Sequence, residues 1–272
     1  MSGDTSYDSY RHSRVLAPLA ARYATWLGLP AAATADTGDE DPASVRAMPL
    51  ILRLERDESP PRSALLEAAG SAAVALCLDE RAQPDGPWHP DVAPWVAGRI
   101  RKVARRARGT YWQAITDLPG VTVEHRGAQV RALLPWPVAD TPKLVTRLQV
   151  GGTDVPADDP GPPPDGLPVL WLAPQPAMTA GKAAAQVGHA TMLMAALLAA
   201  EGRTGELDRW AADGYRCAVL TACAERWARL AAGEEPGRAW RERGVVAVRD
   251  AGFTEVAPGT VTVAAVVARE WH

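Results

Sequence analysis

Apolar residues divide the chain into two α/β regions, which are separated by a proline-rich stretch. In the second region, short apolar runs typical of buried strands alternate with longer stretches whose apolar residues recur at helical spacing. This alternation predicts a mixed α/β domain in which helices pack on a sheet. The predicted strands are residues 169–173, 217–222, 244–249 and 260–267, and the predicted helices are 181–201, 208–214 and 225–241.

The first region, residues 48–150, shows a similar alternation. An Ala/Leu-rich helix is predicted at 62–78, and strands are predicted at 50–54, 121–124, 130–134 and 144–150. A second helix is predicted from residue 96 onward, because apolar residues recur there at helical spacing. These residues are Val96, Ile100, Val103, Ala107, Tyr111 and Ile115.

The remaining segments lack a strand pattern. A short amphipathic helix is predicted near residues 15–26, and the small and acidic residues at 30–46 are typical of a flexible connector. Gly-Gly and three consecutive prolines indicate a linker further along the chain. The predicted organisation is a peripheral segment at 1–46, an α/β unit at 47–150, a linker at 151–167 and a second α/β domain at 168–272.

The two α/β regions share an outline that indicates a duplication. Each opens with proline and an apolar strand, continues with an Ala-rich helix, and later has a Gly-Val pair before a strand. The expected fold is therefore α/β, with a small mixed β-sheet flanked by helices, duplicated with a degenerate N-terminal unit. The alternative is that small α/β units often share such an outline without common ancestry.

A net charge of −3 excludes binding of nucleic acid through overall positive charge, so any RNA contact requires a local patch. The densest basic run lies at 99–108, with Tyr111 and Trp112 beside it. Phosphate contacts and aromatic stacking are what an RNA groove needs. The alternative is a solvated helix face whose basic residues pair with nearby acids. The candidate RNA-binding residues of this run are Arg101, Lys102, Arg105 and Arg106.

Other features favour a soluble cytoplasmic protein without a metal or other cofactor. Cys77, Cys217 and Cys223 are scattered, which suits a reducing compartment. The N-terminus lacks the apolar segment of a signal peptide, and the low-charge run at 183–200 is interpreted as a buried helix instead of a membrane span. The five histidines show no metal-ligand spacing.

Three polar residues of the second region fall on one stripe of a predicted helix. Lys182, Gln186 and His189 are spaced i, i+4 and i+7. A lysine in the first turn opposes the helix dipole, and it is better explained if an anion lies nearby. The alternative is a solvated polar face with a hydrogen-bonded histidine.

A second polar cluster follows the strand that ends at residue 249. Asp250 lies at the strand end, and a turn-rich loop with the hydroxyls of Thr254, Thr260 and Thr262 comes after it. A carboxylate followed by hydroxyls in a rigid loop can orient a water and bind sugar oxygens. The alternative is that these residues cap their own turns.

Both clusters lie in segments that resemble motifs of the type 2 peptidyl-tRNA hydrolases of archaea and eukaryotes. The family motif Met-Gly-Lys-Gly-Lys-x-Ala-Ala-Gln-x-x-His-Ala is similar to residues 178–190, Met-Thr-Ala-Gly-Lys-Ala-Ala-Ala-Gln-Val-Gly-His-Ala. The motif Asp-Ala-Gly-x-Thr-x-x-x-Pro-Gly-Ser/Thr-x-Thr is similar to residues 250–262, Asp-Ala-Gly-Phe-Thr-Glu-Val-Ala-Pro-Gly-Thr-Val-Thr. The resemblance covers the second region. It implies a small α/β domain that hydrolyses the ester between peptide and tRNA.

The resemblance also implies a role for each matched residue. Asp250 would position or deprotonate the attacking water, and His189, with a pKa near neutrality, would relay a proton or orient the ester. Lys182 would neutralise a tRNA phosphate or the developing oxyanion. Thr254 and Thr262 would hold water or ribose hydroxyls, and Gln186 and Thr260 would contact the substrate. The implied partner is peptidyl-tRNA, bound by a homodimer or by a single chain whose first unit replaces the second subunit.

The chain departs from the family motifs where tRNA would be bound. Thr179 and Ala180 replace a glycine and a lysine, and Phe253 and Glu255 replace an arginine and a glutamine. Leu220 stands where the family often has a lysine. These changes leave two other functions open. One is an enzyme of a specialised pathway that uses aminoacyl-tRNA, and the other is a non-catalytic module of the same fold that binds RNA or protein.

Overall fold

Two four-stranded mixed sheets and the helices packed on them form the part of the chain that the structure describes. The computed structural model describes residues 14–56, 59–231 and 236–267. The strands are β1 Met48–Arg53, β2 Lys102–Ala107, β3 Gly120–His125, β4 Ala128–Leu133, β5 Val169–Leu172, β6 Ala218–Thr221, β7 Val245–Arg249 and β8 Val261–Val266. The helices are α1 Ala17–Gly28, α2 Ala31–Ala35, α3 Arg62–Leu78, α4 His89–Ala97, α5 Gly109–Thr116, α6 Lys143–Thr146, α7 Ala180–Ala200, α8 Thr204–Ala212, α9 Ala224–Ala231 and α10 Pro236–Arg243.

The two sheets have the same topology. Their strand orders are β2-β1-β4-β3 and β6-β5-β8-β7. In each sheet the first strand in sequence is parallel to the second and antiparallel to the fourth, and the third is antiparallel to the fourth. The predicted fold class, a mixed α/β fold, is confirmed. The shared order and direction support the interpretation that the chain contains two copies of one unit.

Helices α3 and α7 pack against each other at the centre and join the two units into one continuous core. Both helices are apolar on nearly every side, as expected for helices that are buried all round. Close approach depends on glycine, since a Cβ on Gly188 would lie 3.1 Å from Cβ of Ala73. The hydroxyl of Thr191 donates to the carbonyl of Gly70 across the same contact, at 2.8 Å.

Helix α7 is the predicted buried helix of the low-charge run. At 21 residues it is long and apolar enough to cross a membrane, yet 78% of its most apolar window is buried inside the structure. It packs against α1, α3, β7 and β8, so it occupies the position of a core helix.

The segment before β1 is not peripheral, contrary to the prediction for residues 1–46. Helix α1 packs against α7 and β7, and these contacts cover its apolar face. Leu16 and Leu19 are fully buried, and Tyr23 accepts a hydrogen bond from the amide of Ala247 at 2.8 Å. Residues 30–46 contain the short helix α2 and hold two arginines of the basic run. Residues 1–13 lie outside the described part.

The basic run was predicted to be helical, and that prediction is wrong. Residues 102–107 form β2, a strand parallel to β1. Helix α4 ends before Gly98, and Ile100 adopts a left-handed conformation with φ of 47° that separates α4 from the strand. The aliphatic stems of arginine and lysine let a strand with few apolar residues cover the sheet face, so the pattern of apolar residues alone was misleading.

The strand predicted at 144–150 in the first unit is also wrong. Residues 143–146 form the one-turn helix α6, which follows Pro142, and only Gln149 makes a single bridge to Arg106. Proline is favoured immediately before or within the first turn of a helix, which explains the local change. The linker at 151–167 has no helix or strand, although Asp158 accepts hydrogen bonds from Ser63.

The other predicted elements are present with small changes in their ends. All four strands of the second unit occur within two residues of the predicted limits, and α7 differs from its prediction by one residue at each end. The helix predicted at 208–214 begins earlier, at Thr204. The helix predicted at 225–241 is observed as α9 and α10, and residues 232–235 between them lie outside the described part.

Candidate functional site

A cavity of about 890 Å³ lies between the two units. Its walls come from α1, the segment before β1, the end of α4 with β2, helix α7, and the loop after β7. The predicted site residues that line it are Arg101, Lys102, Lys182, Gln186, His189, Asp250 and Thr254. The structure therefore brings the two polar clusters of the second unit together with two residues of the basic run.

Asp250 lies at the bottom of this cavity with its carboxylate fully engaged. Oδ2 accepts from Nζ of Lys182 at 2.6 Å and from Nε2 of Gln186 at 2.7 Å. Oδ1 accepts from the amide of Gly252 at 2.7 Å. These three donors occupy oxygen lone pairs that a water would otherwise approach, so the geometry suits Asp250 to orienting Lys182. This geometry does not favour the predicted role of deprotonating the water.

The turn after Asp250 depends on a glycine. Gly252 has φ of +85°, and a Cβ at this position would lie 2.4 Å from Cγ of Pro258. No other residue fits here without moving the turn. The Asp-Ala-Gly and Pro-Gly pairs of the second motif thus fold against each other and fix the direction of the carboxylate.

Lys182 connects Asp250 to the loop hydroxyl. Its Nζ donates to Thr254 Oγ1 at 3.1 Å as well as to Asp250, and its side chain is only 8% exposed. The anion that a lysine in the first helical turn requires is therefore the carboxylate of Asp250. Thr254 is exposed at the cavity, so it can reach a bound substrate together with Lys182.

Thr262 and Thr260 do not act where they were predicted to act. Thr262 is buried and donates to Oε1 of Gln186 at 2.6 Å, so it orients the Gln186 amide toward Asp250. Thr260 donates to the carbonyl of Ala257 at 2.7 Å and closes its own turn, which is the alternative that the sequence left open. Neither is among the described residues that line the cavity.

His189 meets Lys102 of the first unit. Nζ of Lys102 lies 3.0 Å from Nδ1 of His189. Burial, followed by the positive charges of Lys102 and Lys182, lowers the pKa of His189 well below 6.5. The prediction of a histidine that titrates near neutrality is therefore wrong, and His189 is a neutral ring in this site. Burial also lowers the pKa of Lys102, to about 7.

Arg101 lies at the cavity wall but is paired with an acid. Its guanidinium donates to Oε1 of Glu40 at 2.8 Å and lies 5.0 Å from the ring centroid of Phe253. The hydrogen bond from Arg101 holds the pKa of Glu40 below its usual value. Phe253 is 47% exposed, so the residue that replaces a family arginine presents an aromatic face beside an arginine. No pattern in the sequence pointed to Glu40, because this acid comes from a segment interpreted as a connector.

Two other departures from the family motif contact each other. The carboxylate of Glu255 accepts from both the amide and the hydroxyl of Thr179, at 3.0 and 2.8 Å. Thr179 in turn caps α7, because its hydroxyl accepts from the amide of Lys182 at 3.2 Å. These substitutions fix the loop after β7 to the start of α7.

Arg105 and Arg106 lie outside the cavity lining. Arg105 donates to the carbonyl of Leu148 at 2.8 Å, and Arg106 donates to Oε1 of Gln149 at 2.8 Å. Both of these acceptors are uncharged. Arg101, in contrast, is paired with the carboxylate of Glu40. Their contact with tRNA stays a prediction.

Reversing these two charges tests the contact. We expect Arg105→Glu with Arg106→Glu to weaken tRNA binding about tenfold at low salt and to reduce the slope of log affinity against log salt by about two. Filter binding over a salt series measures both quantities. Arg81→Glu is the control, because Arg81 is already paired with Asp79. Equal slopes for wild type and the double variant would remove this strand from the binding surface.

The first unit carries a different polar group on the matching helix. Glu67 of α3 is buried and lies 3.0 Å from Nε2 of His125, which ends β3.

Within the described residues no group of three or more histidine, cysteine or acidic side chains could hold a metal ion. The polar side chains that meet at the cavity are those of Lys182, Asp250, Gln186, Thr254, His189 and Lys102.

The fold and the site define a small mixed α/β domain with a lysine–carboxylate centre on its first helix and third strand. Residues 171–270 match the family described as peptidyl-tRNA hydrolase PTH2. This match confirms the resemblance seen in the two motifs, and it covers the C-terminal domain of the chain. A comparison with curated proteins and with solved structures gives no significant match.

Proposed function

We propose that the protein hydrolyses the ester bond between a peptide and the ribose of tRNA. The observation that carries the proposal is the network of Lys182, Asp250, Gln186 and Thr254 at the cavity. These residues come from the two motifs of a family whose name describes this reaction. We further propose a cytoplasmic monomer whose first unit stands where a second subunit would, and the mass in solution tests the monomer.

Lys182 has the position of an electrostatic catalyst. Its ammonium is held by Asp250, and Thr254 Oγ1 on the cavity side lies within 3.1 Å of it. A cation that is already oriented stabilises the oxyanion that forms when water attacks the ester carbonyl, without a cost of reorganisation. Thr254 can place the ester or a ribose hydroxyl beside that cation.

His189 acts as a neutral partner in this scheme. Because its pKa is lowered, His189 is uncharged at neutral pH, and its ring carries a single N–H proton. The carboxylate of Asp250 already accepts from three donors and orients Lys182. Hydrolysis still needs a group that accepts the proton of the attacking water, and neither of these two residues is suited to that step.

The test is turnover of N-blocked aminoacyl-tRNA by the purified protein. We expect wild type to release tRNA and Lys182→Met to lose about 10²- to 10³-fold in kcat/KM, as for the loss of one oxyanion donor. The chain has three lysines, and exposed Lys143 on α6 supplies the matched control, Lys143→Met.

Other outcomes separate the alternatives. Absence of turnover by wild type contradicts the proposal and favours a binding module. Turnover of aminoacyl-tRNA but not of its N-blocked form favours the enzyme of a specialised pathway. Full activity of Lys182→Met would remove the lysine–carboxylate network from the reaction.

A further inference from the structure

We propose that Lys102, supplied by the first unit, is the catalytic base that takes the proton from the attacking water. The inference rests on the proposed hydrolysis and deepens it. It gives the degenerate unit a chemical role, since β2 brings the side chain of Lys102 into the wall of the cavity that holds Asp250 and Lys182.

The contact between the two units determines the position of the Lys102 amine. Lys102 crosses α7 at Gly188, where a Cβ would lie 3.2 Å from its Cδ and Cε. Its Nζ then lies 3.0 Å from Nδ1 of His189 and 5.1 Å from the ring centroid of Trp95. A larger residue at position 188 would push the Lys102 stem away from the cavity. Gly188 therefore allows both the close contact between α3 and α7 and the position of the Lys102 amine.

The surroundings favour the neutral amine. The titratable groups that face Lys102 are His189 on α7 and the Cys77 thiol on α3. Lys182, earlier on α7, acts on His189. Burial raises the pKa of Cys77 to about 12, and this thiol is the group that opposes the effect of burial on Lys102. Among the acids of the cavity wall, Glu40 pairs with Arg101 and Arg99, and Asp250 pairs with Lys182. The effect of burial outweighs that of the thiol, and the pKa of Lys102 falls to about 7.

The proposed step is balanced in atoms. Water loses a proton to the neutral Nζ of Lys102 while its oxygen forms a bond to the ester carbonyl carbon. The oxyanion lies near the Lys182 ammonium. When the bond between the carbonyl carbon and the ribose oxygen breaks, the Lys102 ammonium returns the proton to that oxygen. The products are the peptide acid and tRNA, and Lys102 is neutral again.

Titration of the amine is the first experiment. Three lysines give three side-chain Cε signals in lysine-labelled protein, and Lys102→Met and Lys143→Met assign two of them. We expect the Lys102 signal to titrate near pH 7, several units below a lysine in water. A Lys102 signal that stays protonated up to pH 9 would overturn the proposal whatever the activity of the protein.

The pH dependence of turnover is the second experiment. Because only the neutral amine accepts a proton, kcat/KM of wild type should rise with pH through about 7 and then level off. Lys102→Met should lose at least 100-fold and should lack this rise, whereas Lys143→Met should retain both rate and profile. Small primary amines should restore part of the rate of Lys102→Ala in proportion to their neutral form.

The outcomes distinguish this proposal from the proposed function. Turnover that Lys102→Met retains, with the same pH profile, contradicts the role of Lys102 and leaves the hydrolase assignment standing. A loss of rate without a change of profile and without amine rescue assigns Lys102 a structural role and also overturns the proposal. No turnover by wild type contradicts the hydrolase assignment and the role together. Thermal unfolding of each variant excludes misfolding as the cause.

Discussion

Asp250→Ala should lower kcat/KM for peptidyl-tRNA by about a thousandfold and destabilise the protein by about 3 kcal/mol. The loss of activity follows because Lys182 loses the group that orients it, at 2.6 Å. The loss of stability follows because both side chains are only 8% exposed, so the variant leaves a buried ammonium without its counter-charge. Turnover assays and denaturant unfolding measure the two effects.

A double variant separates the two causes. Lys182→Met with Asp250→Ala removes the uncompensated charge, and it should be more stable than Asp250→Ala alone while remaining inactive. Asp250→Asn, which keeps the shape, should retain stability better than Asp250→Ala. Full turnover by Asp250→Ala would contradict the assigned site, and equal stability of the single and double variants would contradict the buried ion pair.

Gly188→Val should destabilise the protein by about 3 kcal/mol and lower its melting temperature by roughly 6–12 °C. The physical reason is the helix contact, where even a Cβ would lie 3.1 Å from Ala73 and 3.2 Å from the stem of Lys102. Buried helices packed this closely have no free volume to relax into. Thermal unfolding followed by circular dichroism measures the change.

Gly205→Val is the matched control for this variant. Gly205 is also helical, in α8, but a Cβ there meets nothing within 4 Å. We expect only the small effect of a β-branched residue replacing glycine on a helix surface. Similar melting temperatures for the two variants would show that α3 and α7 do not approach each other as closely as described.

The second unit could be predicted well from the sequence because its elements follow local rules. Short apolar runs formed β5 to β8, and the spacing of Lys182 and Gln186 placed both on the stripe that meets Asp250. Residues within one motif or one helix have fixed relative positions, so a pattern is enough to bring them together.

The first unit and the cavity could not be predicted in the same way. Strand β2 carries three basic residues, and its parallel pairing with β1 is set by contacts distant in sequence. The contact of Lys102 with His189 joins residues 87 positions apart, and Glu40 reaches Arg101 from a segment without a periodic pattern. Burial also moved the pKa of His189 away from the expected value, because desolvation depends on the packing of both units and not on the residue type.

The first unit and α1 also contact both edges of the sheet that precedes Asp250. At the β7 edge, Tyr23 accepts from the amide of Ala247, and at the β6 edge the carboxylate of Glu67 accepts from the amide of Val219 at 3.1 Å. Open strand edges recruit strands of other molecules and lead to aggregation. The N-terminal half thus covers these edges within the same molecule. A truncated chain that starts near residue 168 would expose both edges to pairing with strands of other molecules.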